Sequence, residues 1–214
     1  MNIVRNKNKL KKTHPRDISP LIKTLNYFHP LSKEVIHFFD EKLVFIKCPK
    51  NTVLLESGKV CKYVYFIQKG LVRGFIREGK KDITTWISSE NELASSIYSL
   101  DQEIPALENI ETIEDCEFLA LHNKHLLQLY RRFPEFNITT RKLLQQYYRD
   151  AERRALLTRF TNATFKYHFF LEHYSHLSNR VPLKYISSFL GIAFETLSRI
   201  RKKMAVNKKL HIST

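Results

Sequence analysis

Residues 182–204 read PLKYISSFLGIAFETLSRIRKKM. Leu183, Ile186 and Leu190 recur at helical spacing, Gly191 interrupts them, and Leu197, Ile200 and Met204 resume the same period. Two short amphipathic helices around a glycine-containing turn make a helix-turn-helix. With Leu197, Ile200 and Met204 packed inward, the second helix turns Glu195, Thr196, Ser198, Arg199, Lys202 and Lys203 outward. That face has the chemistry of major-groove reading. Arginine bonds guanine O6 and N7 with two donors, and glutamate accepts from cytosine N4. Hydroxyl and ammonium groups hold phosphates and fix register. The N-terminal residues of a recognition helix meet the bases first, which singles out Glu195, Thr196 and Arg199 for base edges. Lys184, Arg201, Lys202 and Lys203 are assigned to the phosphate backbone. The plainer alternative is an amphipathic hairpin with a solvated charged face. The buried spacing, the turn glycine and the basic outer face together favour the reader.

The rest of the chain carries charge to match. There are 36 Lys+Arg against 21 Asp+Glu, a formal net charge of +15, which favours a polyanionic partner. The distribution is uneven. Between Asp82 and Asn123 there is no Lys or Arg, but ten acidic residues, Glu90, Glu92, Glu103 and Glu108 among them. Lys124 to Thr214 hold 18 basic residues against 5 acidic ones. One segment repels anions and the C-terminal part attracts them.

Working back toward the N-terminus, Lys124–Phe133 has the pattern of a short helix closed by Phe133-Pro134, and a long helix is expected over 134–158. On it, Leu144, Tyr148, Ala151 and Ala155 form one stripe at i, i+4, i+7 and i+11. That stripe either packs on its own domain or forms the seam of a homodimer, and the pattern leaves both open. From Leu43 to Leu121 the texture is short apolar runs, LVFIKC, TVLLES, YVYFIQ, LVRGFIR, ITTWIS and CEFLAL, broken by Gly- and Pro-containing turns. This predicts an all-β roll or barrel, with Trp86 in its core. Residues 19–41 are helical in pattern, with Ser32 as an N-cap and Val35, Ile36, Phe38 and Phe39 facing a core. Residues 1–16 form a basic arm. The fold class is therefore α+β, divided as arm (1–16), β-roll (17–133), connecting helix (134–158) and helix-turn-helix domain (159–214).

At this point a resemblance becomes usable. NRVPLKYISSFLGIAFETLSRIRKK resembles the helix-turn-helix of the Crp/Fnr family of cyclic AMP receptor-like transcription regulators, and NELASS and DCEFLAL resemble that family's cyclic nucleotide-binding roll. The resemblance spans residues 20–205, and is more specific in the helix-turn-helix than in the roll. It implies a winged-helix-like DNA-binding domain, a homodimer on pseudo-palindromic double-stranded DNA, and base contacts by Glu195 and Arg199. RNA polymerase is a further partner it suggests. Ala193-Phe194 depart from the family pattern, which commonly has a Ser/Thr cap followed by a polar residue or Pro; Phe194 cannot make a polar base contact. Any wing after the second helix must be very short.

The resemblance also places an effector pocket at Glu92, Leu93, Ala94 and Ser95. Glu92 matches the family's ribose-binding Glu, but Asn91 replaces the preceding glycine, and the phosphate-binding Arg expected near 105–107 is missing. Burying a phosphate beside Glu90, Glu103 and Glu108 without a cation is costly. The expectation is a roll that does not bind cyclic nucleotides, acting as a scaffold or as a sensor of something uncharged, cationic or proteinaceous.

Other constellations carry less. Cys48, Cys61 and Cys116 lack metal-ligand spacing and read as ordinary thiols. His122/His125 and His173/His176 have no third ligand for a tetrahedral site. Phe165, Tyr167, Phe169, Phe170 and Tyr174 read as core beneath the helix-turn-helix rather than a base-stacking platform. No catalytic or cofactor motif stands out, so neither enzymatic activity, cofactor nor metal is expected. The absence of an apolar h-region and of a long apolar run predicts a cytoplasmic chain without a membrane span. The runner-up function is an effector- or protein-binding regulatory module with only weak DNA preference.

Overall fold

The computed structural model describes residues 17–210, with side chains to Val206; the basic arm at 1–16 lies outside the described residues. Two helices, α1 (Ser19–Phe28) and α2 (Lys33–Lys42), open it. Ser32 caps α2 as its spacing predicts, its hydroxyl accepting from the Val35 amide at 3.3 Å. Eight strands follow: β1 (Val44–Cys48), β2 (Val53–Leu55), β3 (Tyr63–Lys69), β4 (Val72–Glu78), β5 (Lys81–Ser88), β6 (Leu93–Ala94), β7 (Asn109–Thr112) and β8 (Cys116–His122). They form two four-stranded antiparallel sheets, ordered β1-β8-β3-β6 and β2-β7-β4-β5. The first sheet is buried on both faces, and its strands alternate accordingly. Tyr65 and Ile67 on β3, and Cys116, Phe118 and Ala120 on β8, point into the roll. Phe66, Leu119 and Leu121 point the other way, into a core shared with Val35, Phe38 and Phe39 of α2 and Leu21 and Leu25 of α1.

Six strands coincide with the six apolar runs. The structure adds β6, β7 and α3 (Ile97–Gln102), which the sequence pattern did not single out. Trp86 is half-buried rather than fully in the roll core. It lies over Gly74, where a Cβ would meet the indole, and its Nε1 donates to Glu108 Oε2 at 2.8 Å. An indole needs a partner for its N–H, and the carboxylate at the roll's rim supplies one.

The C-terminal half is helical: α4 (Asn123–Arg132), α5 (Pro134–Arg159), α6 (Ala163–Tyr174), α7 (Leu183–Leu190) and α8 (Phe194–Leu210). Pro134 opens α5 at a position where its missing N–H costs nothing. One face of α5, carrying Phe136, Leu143 and Tyr147, packs on the roll and its helices. Leu157 near its end enters a third core, described below. No strand follows α8 among the described residues.

Candidate nucleic-acid interface

The helix-turn-helix comprises α7, a turn at Gly191 and α8. Gly191 takes the left-handed conformation (φ 61°, ψ 43°) as the C-cap of α7, its amide bonding the Ser187 and Ser188 carbonyls. Nothing crowds a Cβ there closer than 3.7 Å, so the requirement for glycine is conformational. A second device fixes the turn. Lys166 of α6 is 5% exposed, and its Nζ donates to the Leu190 carbonyl at 2.9 Å. A cation at the C-terminal end of α7 satisfies an orphan carbonyl and matches the helix dipole. Sequence reading missed Lys166 because its partner lies 24 residues away.

The inner faces pack as their spacing predicts. Ile186, Leu190 and Leu197 are fully buried, Leu183, Ile200 and Met204 half-buried. Tyr167 and Phe170 of α6 are buried beneath them and Phe169 and Tyr174 partly so, which makes most of the aromatic cluster a core. Phe165 is the exception; it is 45% exposed and packs at a tilt against the Phe160 ring, 4.6 Å between centroids.

The outer face of α8 presents Glu195, Arg199, Lys202 and Lys203 to solvent, with Thr196, Ser198 and Arg201 half-exposed. Glu195, Lys202 and Lys203 have no ion-pair or hydrogen-bond partner among the described residues. Arg199 reaches only the Thr196 hydroxyl, at 3.5 Å. Arg201 is partly engaged, Nη1 donating to the Ser178 carbonyl at 3.4 Å. Lys184, on α7, is exposed with its Nζ over the Tyr185 ring.

The helix-turn-helix is docked on the roll. Leu71, Ile87 and Ile113 of the roll share one core with Leu157, Val181, Ile186 and Leu190. The edge strand β5 is covered by α7: Ser188 Oγ accepts from the Thr84 amide and donates to the Asp82 carbonyl, both at 2.9 Å. A serine hydroxyl thus occupies an edge that a strand would otherwise pair. Two arginines complete the junction. Arg73, 2% exposed, donates to Glu111, Thr84 and Asp82, and its guanidinium lies 3.9 Å from the Tyr185 ring of α7. Arg180 donates to both Glu90 and Glu114. Its hydrogen bonds hold the Glu90 carboxyl down to about 2, against the opposing effect of burial.

The segment the resemblance assigned to an effector is committed internally. Glu92 Oε2 accepts from the Ser89 amide at 2.8 Å across a turn in which Asn91 has φ 67°. Burial pushes the Glu92 carboxyl above its ordinary value, with the Ser89 amide and Ser88 hydroxyl opposing. The Leu93 amide donates to the Tyr147 hydroxyl of α5 at 2.7 Å, Ala94 is buried in the roll core, and Ser95 Oγ donates to the Tyr63 carbonyl. Leu55, Tyr65, Val72, Leu100 and Phe118 fill the roll interior.

On α5, the expected stripe is exposed. Leu144 is 46% and Tyr148 65% exposed, with Ala151 and Ala155 open beside them. The alternative of packing on its own domain is taken by a different face, that of Phe136, Leu143 and Leu157. The histidine pairs have ordinary roles: His122 Nδ1 caps α4 by accepting from the Lys124 amide, and His176 lies 3.3 Å from the Ser89 hydroxyl. Cys61 and Cys116 are buried and Cys48 half-buried.

Comparison with known proteins agrees with this architecture. Residues 45–133 match the cyclic nucleotide-binding domain family. Among solved structures, the c-di-GMP responsive global regulator CLP of Xanthomonas campestris is similar at 17% identity and a TM-score of 0.67, over 83% of this chain and 93% of that one. The catabolite activator protein of Thermus thermophilus is similar at 23% identity and a TM-score of 0.52, over 86% and 88%. A Crp/Fnr-family regulator of Eubacterium rectale is similar at 14% and 0.63, over 83% and 85%. No match is found among curated protein sequences. The chain has a cyclic nucleotide-binding-type roll, and its fold is that of the Crp/Fnr transcription regulators.

Proposed function

We propose that this protein is a homodimeric transcription regulator that binds specific duplex DNA through α8. The observation that carries the reading is the outer face of α8, which keeps Glu195, Arg199, Lys202 and Lys203 exposed while its inner face and turn are fixed by packing. Charged groups left without internal partners on a rigid helix are available to an external one. Glu195, Thr196 and Arg199 read base edges; Lys184, Ser198, Arg201, Lys202 and Lys203 hold the backbone. The Leu144, Tyr148, Ala151 and Ala155 stripe of α5 pairs with its copy, which sets two recognition helices about one duplex turn, roughly 34 Å, apart. No described helix is long and apolar enough to cross a membrane.

The roll, in this reading, does not answer to cyclic nucleotides. The stretch from Asp82 to Asn123 carries no Lys or Arg, Glu92 is bonded to its own turn, and side chains occupy the interior. Saturable micromolar binding of cyclic AMP or cyclic GMP in calorimetry would overturn this part.

Selection from a randomised duplex pool at near-physiological salt tests the whole. Enrichment of an inverted repeat is the expected outcome. Pooled binding that depends only on salt, with no enriched site, would sink the sequence-specific reading and favour a regulatory module working through protein contacts. The exposed Ile97, Tyr98 and Leu107 of the roll are the surface such a module would use.

A further inference from the structure

Phe194 is the first residue of α8, 47% exposed, and belongs to none of the three cores. It makes no aromatic pair among the described residues. At helical spacing, the exposed arc of α8 consists of two rows. Phe194, Ser198 and Lys202 form one, and Glu195, Arg199 and Lys203 the other. Each row ends in a lysine suited to a phosphate. The second begins with Glu195 and Arg199, which suit cytosine N4 and guanine. The first begins with an apolar ring that water does not favour.

Only one apolar group is displayed on the floor of the major groove, the C5-methyl of thymine. We infer that Phe194 is a specificity-determining residue that packs against a thymine methyl in each half-site, next to the base pair read by Glu195 and Arg199. This rests on the reading of α8 as a recognition helix. Three features support it. The position is at the N-terminal end of the helix, where side chains approach base edges most closely. Ala193 before it is small and exposed, leaving room for the ring to turn toward a base. Glu195 and Arg199 serve G·C pairs, and Phe194 is the largest apolar group at the leading end of the outer face, beside the Ala193 and Thr196 methyls.

The test uses the full-length protein and the inverted repeat recovered from the random pool. Each thymine of the half-site is replaced in turn by deoxyuridine, symmetrically in both halves, which deletes the methyl and keeps every hydrogen-bonding group. Affinity should fall about fourfold per half-site at one thymine, the effect of burying one methyl group. Phe194→Ala should bind the thymine site more weakly and lose that difference, binding thymine and deoxyuridine duplexes alike. Phe194 lies outside the cores, so the variant should keep the wild-type melting temperature, which is measured alongside. An enriched site at which no deoxyuridine change matters, or a Phe194→Ala variant that still distinguishes thymine from deoxyuridine, overturns the inference while leaving DNA reading by α8 intact. Failure to enrich any site overturns both.

Discussion

The cassette segment at 89–103, rich in carboxylates and hydroxyls, and the outer face of α8, which sets Arg199, Lys202 and Lys203 beside Glu195, Thr196 and Ser198, treat their polar groups in opposite ways. In the cassette, Glu90 accepts from the Gly70 amide and Arg180, Glu92 from the Ser89 amide, and Ser95 and Ser99 bond backbone groups of the roll. On α8, Glu195, Lys202 and Lys203 bond nothing among the described residues, and Arg199 touches only Thr196. A polar group that has found an internal partner has offset its desolvation and has little left to offer a ligand. One that remains in water is available to a partner. Internal pairing thus separates a segment whose polar groups hold the fold from a face whose polar groups stay in water.

The sharpest way to break this contrast is through the α5 stripe proposed to pair two copies of the outward face. Leu144→Asp together with Tyr148→Asp should turn the dimer into a monomer by analytical ultracentrifugation. Affinity for the selected repeat should fall toward non-specific binding, on the order of a thousandfold or more. Both side chains are exposed, so the fold should survive; an unchanged dimer would remove α5 as the seam. Next in size is Arg199→Ala, which should cost about 1–3 kcal/mol at one base pair of the half-site and relax it. A uniform loss across all sequences would make Arg199 a phosphate contact. Lys202→Ala and Lys203→Ala should instead weaken all duplexes alike and each flatten the log–log salt dependence by about 0.9.

The internally paired polar groups should respond first in stability. Lys166→Met deletes a charged hydrogen bond to the Leu190 carbonyl and should lower stability by about 1.5–3 kcal/mol in denaturant melts. The smallest effect lies in the Arg180 clamp. Glu90 is held down to about 2 from an ordinary 4.5. A carboxyl depressed in the folded state adds stability above the unfolded value and loses it as pH falls toward the folded one. The difference in melting temperature between wild type and Arg180→Ala should therefore be fully present above about pH 5 and shrink between there and pH 2. A difference independent of pH in that range would mean that Arg180 acts by packing alone.

Much of the contrast is visible in the chain itself. The spacing of Leu183, Ile186, Leu190, Leu197 and Ile200 around Gly191 dictates which face of α8 is inside, because a helix has one period and the apolar residues keep it. The six short apolar runs become strands because their apolar and β-branched residues suit a pleated, half-buried surface, and Ser32 is a cap because its hydroxyl answers an amide three residues on. Leu93–Ala94 and Ile97–Gln102 are too short to show a period, and β7 (NIET) is too polar to stand out as an apolar run. They form only because Tyr65 and Phe66, or β4, stand ready to pair or pack.

What the sequence by itself determined is whatever depends on neighbours within a few turns: element type, buried face, the left-handed turn, and the chemistry of the outer face of α8. What the tertiary structure alone decided is which groups meet across the chain. Trp86 against Glu108, Lys166 against the end of α7, Ser188 on the edge of β5, Arg73 beneath Tyr185, and Arg180 between Glu90 and Glu114 all join residues far apart in sequence. No periodicity encodes such meetings. They follow from packing two sheets and a helical domain around shared apolar cores, and each polar group brought inside then takes the nearest partner that offsets the loss of water.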